Sequence, residues 1–289
     1  MLDKPPDTPI KPHKLPDDAY EQFRHELVLP DSVAKPLARF LDLIIFAIAR
    51  GLTRSPLNGF IILKGPSGSG KTLTTKAFAQ ALATGYQQAS GNVSILFQVH
   101  MASLLSELLG RTVQAVGQLF DAVAFSAERR LTIVHIDELE SIGFSRERVS
   151  ASDPSDVIRM VDELLRQLDI LSGNPRFLLI GTTNTVGMLD NALIDRADLV
   201  IQFEPPDYQA CLTILQRAAD RVRELDIEVD HGDLKKAAKA LTENGQRPSG
   251  RLLSKLPLLA FIEGGSRHPT ASTIIEVAKR KMAEGFLWL

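Results

Sequence analysis

Over the first two-thirds of the chain, short apolar runs alternate with longer stretches of helical spacing. The runs are Phe60–Leu63, Val93–Val99, Leu131–Ile136, Arg176–Ile180 and Leu199–Phe203. They are apolar at successive positions rather than at every second one, the pattern of strands buried on both faces. Between them, Gly70–Ala83, Thr112–Arg130 and Ser155–Leu171 carry apolar residues three and four apart, which puts them on one side of a helix. Strand and helix in alternation predict an α/β domain with a parallel sheet covered by helices. An amphipathic helix is expected ahead of it over Asp31–Arg50, with Asp31-Ser32 as N-cap and Gly51 at its end.

The pattern changes at Glu204-Pro205-Pro206. Beyond it only helical spacing remains, over Tyr208–Leu225, Gly232–Asn244, Ser249–Glu263 and Thr270–Glu284. The paired prolines interrupt both helix and sheet hydrogen bonding and mark a hinge. Five prolines and little apolar periodicity make residues 1–16 read as a flexible tail. The expected organisation is therefore a tail over 1–16, an α/β domain over 17–204 and a small all-helical lid over 205–289.

Composition narrows this little. A chain of 289 residues accommodates about two domains. The net charge of −2 lacks the basic excess of a protein whose main partner is nucleic acid. Cys211 is the one cysteine, which leaves no pair for a disulfide and no cysteine-based zinc site. The N-terminal residues lack the apolar stretch of a secretory signal. Phe40–Ala49, the longest apolar run, is too short to span a bilayer and contains Asp42. A soluble, cytoplasmic protein without a membrane partner is the expectation.

Chemistry enters with Gly65-Pro66-Ser67-Gly68-Ser69-Gly70-Lys71-Thr72, followed by Leu73. The spacing matches the phosphate-binding loop G-x-x-x-x-G-K-[ST], placed between an apolar run and a helical stretch as that motif requires. Small residues let backbone N–H groups close around phosphates, and the helix N-terminus adds its positive dipole end. Lys71 is suited to the β- and γ-phosphates of ATP, and the Thr72 hydroxyl to Mg²⁺.

Leu131–Ile136 runs into Asp137-Glu138, two carboxylates at the end of a parallel strand, where open α/β sheets bind ligands. Asp137 suits Mg²⁺ coordination and Glu138 suits activation of the attacking water. A helix N-cap with a first-turn acid is the plainer alternative. His135, mid-strand, reads as a core histidine rather than a ligand. Thr182-Thr183-Asn184 ends the next strand, where Asn184 either holds the lytic water or γ-phosphate or is a turn asparagine. Arg196, before the last strand, and Arg251, at a helix start in the lid, read on their own as surface ion-pair residues.

Together GPSGSGKT, IVHIDELES, GTTN, DRAD and PSGR, in that order with a helical C-terminal domain, resemble the AAA+ ATPases. The finer resemblance is to the pachytene-checkpoint ATPases, which remodel HORMA-domain proteins. It is carried by residues 153–169 (DPSDVIRMVDELLRQLD), 193–207 (LIDRADLVIQFEPPD) and 248–261 (PSGRLLSKLPLLAF), with LPDDAYEQFRHELVLPDSV as the lead-in.

That resemblance implies a homo-hexamer with ATP at subunit interfaces, Asn184 as sensor 1, Arg196 as a finger reaching the neighbour's γ-phosphate and Arg251 as sensor 2. It also implies a HORMA-domain substrate. Two departures qualify it. Eukaryotic-type members carry an N-terminal adaptor-binding domain, for which about fourteen tail residues leave no room here. The compact form resembles those of bacterial anti-phage signalling systems (CBASS), in which HORMA proteins activate a nucleotidyltransferase. The second departure is at Leu108-Leu109-Gly110, which occupies the position of an aromatic pore loop. These leucines either grip a peptide, at roughly 1.5–3 kcal/mol each when fully buried, or belong with Leu104 and Leu105 to an amphipathic turn. A DNA-associated switch of the clamp-loader or helicase-loader type is the alternative function. Near-neutral charge disfavours it, and the Asp137-Glu138 pair disfavours a non-hydrolysing scaffold.

Overall fold

The computed structural model describes residues 10–100, 112–141, 155–185, 189–243 and 247–284. The five apolar runs pair as parallel strands: β2 (Phe60–Lys64), β3 (Ser94–His100), β4 (Thr132–Asp137), β5 (Phe177–Thr183) and β6 (Leu199–Gln202). A sixth strand, β1 (His13–Leu15), adds antiparallel to β3, and the order across the sheet is β1-β3-β4-β5-β2-β6. Residues 13–15 therefore do not belong to a flexible tail. Leu15 is fully buried, its carbonyl accepts from Ser94 Oγ at 3.2 Å, and edge pairing satisfies the backbone of a segment too short to signal itself by periodicity.

Along β2, Phe60 and Ile62 join the core under α4 (Thr112–Ala127) and α5 (Ser155–Leu171), while Ile61 and Leu63 are just as buried on the opposite face. That explains the near-continuous apolar runs. On the other side α3 (Lys71–Ser90) contacts β1, β3, β4 and β5, and α2 (Asp31–Ala49) comes against it where Ile45 approaches Gly85. α2 ends as its glycine foretold: Gly51 is left-handed at φ 65°, with Gly51 N–H on Ile48 O and Leu52 N–H on Ala47 O. The lead-in forms α1 (Asp18–Glu26), whose Tyr20 is buried with its hydroxyl on Gln98. α6 (Asn191–Arg196) precedes β6.

The helices after the double proline are α7 (Tyr208–Val222), α8 (His231–Glu243), α9 (Gly250–Leu253), α10 (Leu256–Gly264) and α11 (Ala271–Ala283). They share a core that includes Leu215, Ala237, Leu253, Leu256 and Ile274. The single helix expected over Ser249–Glu263 is two helices. Pro257, in the first turn of α10, has no N–H to give back to the preceding turn, so the chain restarts there.

Two compact units result. The first holds the chain through His25, Ser32–Lys64 and Lys71–Gln202; the second holds Glu26–Asp31, Gly65–Gly70 and the chain from Phe203. The helical unit thus starts close to the double proline, but it also gathers two short segments that a linear boundary at 205 does not foresee. No helix among the described residues is long and apolar enough to cross a membrane.

Candidate functional site

In the first unit, strand register places the polar ends of β4 and β5 side by side, with Ile136 opposite Gly181. The next residue on each strand closes the pair: Thr182 Oγ1 donates a hydrogen bond to Asp137 Oδ1. Asp137 Oδ2 faces the other way and accepts from Thr72 Oγ1 at 3.4 Å, at the start of α3. Lys71, only 7% exposed, donates from Nζ to Asn184 Oδ1 at 3.0 Å just past β5. Lys71 and Asn184, 113 positions apart in the chain, therefore meet at one spot. The turn-asparagine alternative for Asn184 does not account for a side chain that receives a buried ammonium. Burial of Lys71 also requires such acceptors, because an ammonium removed from water is costly unless paired.

Glu138 adopts left-handed backbone geometry, φ 57°. Its N–H reaches Thr182 Oγ1 at 3.4 Å, and its carbonyl accepts from Ser141 N at 2.8 Å and Ser141 Oγ at 2.7 Å. This conformation is unfavourable for a residue with a Cβ and persists where surrounding bonds enforce it. It leaves the Glu138 side chain exposed while Asp137 is tied down. Among the described residues the chain continues from Glu138 into a three-residue 3-10 turn, Leu139–Ser141. Glu140 accepts from Asn184 N at 3.0 Å through Oε1; Oε2 is buried without a hydrogen-bond partner among the described residues.

In the second unit, the Gly65–Gly70 loop packs on residues from the C-terminal part of the chain. Gly65 has φ 152°, and a Cβ there would lie 2.8 Å from Phe203 Cβ. Gly68 has φ 78°, and a Cβ would sit 3.1 Å from both Cβ and Oγ of Ser249. Both positions therefore favour glycine for conformation, and Gly65 for space as well. The Gly68 carbonyl accepts from Arg251 N at 3.3 Å, so the first turn of α9 lies directly against this loop. Ser249 caps α9 by accepting from Leu252 N at 3.2 Å. The Arg251 side chain is exposed. Ser69 Oγ is buried and has no hydrogen-bond partner among the described residues, an orphan that a bound phosphate oxygen would satisfy.

Arg196 ends α6, where Nε donates to Asp169 Oδ1 at 2.7 Å, Nη2 to Asp169 Oδ2 at 2.9 Å and Nη1 to Ala192 O at 3.0 Å. Within one chain it is an ion-pair residue, as the bare sequence suggested. The pairing holds the Asp169 carboxyl below the usual carboxylate range and raises the guanidinium further, in each case chiefly through the hydrogen bond between them. His135 is buried mid-strand, 2% exposed, and Ser67 and Leu73 lie in the loop and first turn of α3. Leu108, Leu109 and Gly110, with Leu104 and Leu105, lie outside the described residues.

Sequence reading missed the roles of Thr182, Glu140 and Asp169, although GTTN and DELES contained the first two. It also missed Asp198, whose carboxylate accepts from the N–H groups of Asn58, Gly59 and Phe60 at 2.9, 2.8 and 3.1 Å. That bracket ties the entry to β6 to the start of β2. No local signal marks an aspartate as the acceptor for a segment 140 residues away.

A family profile described as "ATPase family associated with various cellular activities (AAA)" matches residues 61–205. The chain is 33% identical over 207 residues to CD-NTase-associated protein 6 of Pseudomonas aeruginosa, covering 70% of this chain and 67% of that one. It is 31% identical over 226 residues to the putative pachytene checkpoint protein 2 of Caenorhabditis elegans, covering 71% and 53%, so it spans about half the length of that relative. Its fold matches the structure of C. elegans PCH-2 with a TM-score of 0.79 at 23% identity, covering 97% of this chain and 77% of that one. It matches a chain of the E. coli MS115-1 HORMA:CdnC:Trip13 complex at 0.73 and 16% identity, covering 97% and 96%. Lys71, Thr72, a strand-end carboxylate pair and an asparagine gathered at the ends of parallel strands, together with these matches, identify the chain as a member of the AAA ATPase family.

Proposed function

We propose that this ATPase binds ATP with Mg²⁺, hydrolyses it within a homo-hexameric ring in the cytoplasm, and uses the cycle to unfold or disassemble a HORMA-domain protein complex. In this reading the complex controls an anti-phage nucleotidyltransferase of the CBASS type. The observation that carries the ATP chemistry is the convergence of Lys71 on Asn184 and of Thr72 on Asp137. Similarity to CD-NTase-associated protein 6 and to a chain of the HORMA:CdnC:Trip13 complex supports the choice of substrate.

The residues fit these roles chemically. The Gly65–Gly70 backbone presents N–H groups to the phosphates, and Lys71, next in the chain, exchanges its Asn184 contact for the γ-phosphate. Thr72 Oγ1 and Asp137 Oδ2 are hard oxygen donors facing each other, the type a small divalent cation takes; Mg²⁺ held there would neutralise charge on the β- and γ-phosphates. Glu138, exposed and fixed at its backbone, accepts a proton from water as the water oxygen bonds to the γ-phosphorus. The bond from that phosphorus to the β–γ bridging oxygen breaks, giving ADP and phosphate. Asn184 holds the lytic water or γ-phosphate, Arg196 serves the γ-phosphate of a neighbouring subunit, and Arg251, bonded to the loop through its N–H, senses the nucleotide from the lid.

The test is a purified complex of a HORMA-domain protein with its partner. Wild type with ATP separates the complex, whereas Glu138→Gln binds ATP and the complex but leaves it intact, with turnover reduced on the order of a hundredfold or more. Normal turnover by Glu138→Gln removes the assigned base, and an intact complex after wild-type treatment removes the remodelling role.

A further inference from the structure

The two strand-end acids share one support. Thr182, 1% exposed on β5, lies opposite Leu63 of β2 and one position beyond Gly181, which faces Ile136 of β4. A hydroxyl at that depth is costly unless bonded, and threonine has one proton to give and lone pairs to accept with. Both capacities go to consecutive residues: Oγ1 donates to Asp137 Oδ1 and accepts from Glu138 N–H at 3.4 Å. A carboxylate only accepts and an amide N–H only donates, so the hydroxyl is polarised one way, from Glu138 towards Asp137.

Local packing brings these groups together. A Cβ at Gly181 would lie 2.7 Å from Leu139 Cδ2, so glycine there leaves the space in which fully buried Leu139 rests on β5. Leu139 follows Glu138 directly, and its seat keeps the Glu138 amide within reach of Thr182. With Oδ1 engaged on β5, the Asp137 carboxylate is held in one orientation, and Oδ2 stands 3.4 Å from Thr72 Oγ1. The left-handed backbone of Glu138, φ 57°, is tied through its N–H to Thr182 and through its carbonyl to Ser141 N–H at 2.8 Å. Threonine suits this post because branching at Cβ limits χ1, so the packed strand sets the direction of the hydroxyl.

We propose that Thr182 is the positioning residue for both acids, its one hydroxyl turning Asp137 Oδ2 towards the cation site at Thr72 and securing the backbone from which Glu138 acts. The assignment rests on the roles proposed for Asp137 and Glu138. A group bonded to the far oxygen of a metal-binding carboxylate sets the orientation in which the near oxygen meets the cation. Thr182, buried and bonded to both acids, acts on the reaction only through them.

Three variants test it in the full chain: the nearly isosteric Thr182→Val, the smaller Thr182→Ala and the hydroxyl-retaining Thr182→Ser. Mn²⁺ is the probe cation, since it takes the same oxygen donors as Mg²⁺ and its binding to the ADP-loaded chain is read by electron paramagnetic resonance. Thr182→Val raises the Mn²⁺ dissociation constant about tenfold or more and lowers kcat for ATP about ten- to a hundredfold, while ADP affinity in EDTA changes less than about twofold. Thr182→Ser recovers most of both. Added to Asp137→Asn, the Thr182→Val change weakens Mn²⁺ binding no further.

Wild-type Mn²⁺ affinity in folded Thr182→Val or Thr182→Ala chains overturns the proposal, whatever their rates. ADP affinity in EDTA that falls in parallel, additive losses of Mn²⁺ affinity in the double variant, or failure of both hydroxyl-free variants to fold overturn it too and assign the hydroxyl a structural role. Asp137→Asn that binds Mn²⁺ like wild type instead rejects the underlying role of Asp137, so the two failures are distinguishable.

Discussion

The most economical residue in the site is Glu138. Its backbone is left-handed and its side chain exposed, while Asp137, its neighbour, is claimed by Thr182 and Thr72. Adjacent acids of nearly identical chemistry thus have different surroundings because one lies at the last strand position and the other just beyond it. At the same scale, burial pushes the Cys211 thiol up to about 12, with Asp207 adding to the rise. The neutral thiol is the favoured folded form, so this contribution to stability is full below the unfolded thiol value of about 8.5 and is lost as pH rises from there towards about 12. Cys211 is therefore expected to resist iodoacetamide in the native chain at about pH 8 and to react fully once unfolded. Rapid native alkylation, measured by intact mass, contradicts this.

Among elements, β2 and β6 depend on a side chain that belongs to neither. Asp198 accepts three backbone N–H groups at the start of β2, and among the described residues no other acceptor serves Asn58 N–H or Gly59 N–H. Asp198→Ala is expected to destabilise the fold by at least about 2 kcal/mol through unsatisfied amides, with Asp198→Asn losing less because one acceptor oxygen remains. Urea unfolding reads the effect as a lower midpoint at unchanged slope. Equal stability of wild type and Asp198→Ala shows that solvent replaces the bracket. β1 illustrates the complementary case. Its three residues form no independent strand, and Leu15 is buried only because β3 offers an open edge.

For the whole molecule, the placement of Arg196 bears on assembly. Among the described residues its guanidinium bonds Asp169 and Ala192, and in the proposed ring the phosphate comes from a second subunit. Specific ATPase activity is accordingly expected to fall on dilution through the range where rings dissociate. Mass photometry on the same samples reports the assembly state. Turnover per chain that stays constant while the rings come apart is evidence against shared sites. The net charge of −2 carries the companion expectation that nucleic acid is retained weakly in filter binding at low salt and released steeply as salt rises.

The strands, their parallel pairing and the place of Gly65–Gly70 and of the Asp137-Glu138 pair just after or at strand ends were legible from the chain alone. Each rests on a local rule: apolar periodicity for burial on both faces, glycine spacing for a loop that closes on phosphate, and a carboxylate at a strand end. The helical lid was legible for the same reason, except where Pro257 split a helix whose apolar spacing continues across the break. Tertiary structure decided the partnerships. Lys71 with Asn184, Asp137 with Thr182, Asp169 with Arg196 and Asp198 with Gly59 join residues 27 to 139 positions apart. Such contacts depend on which strands become neighbours and in what register. Periodicity reports only which face of an element is buried, whereas the folded sheet selects the side chains that meet at its edge.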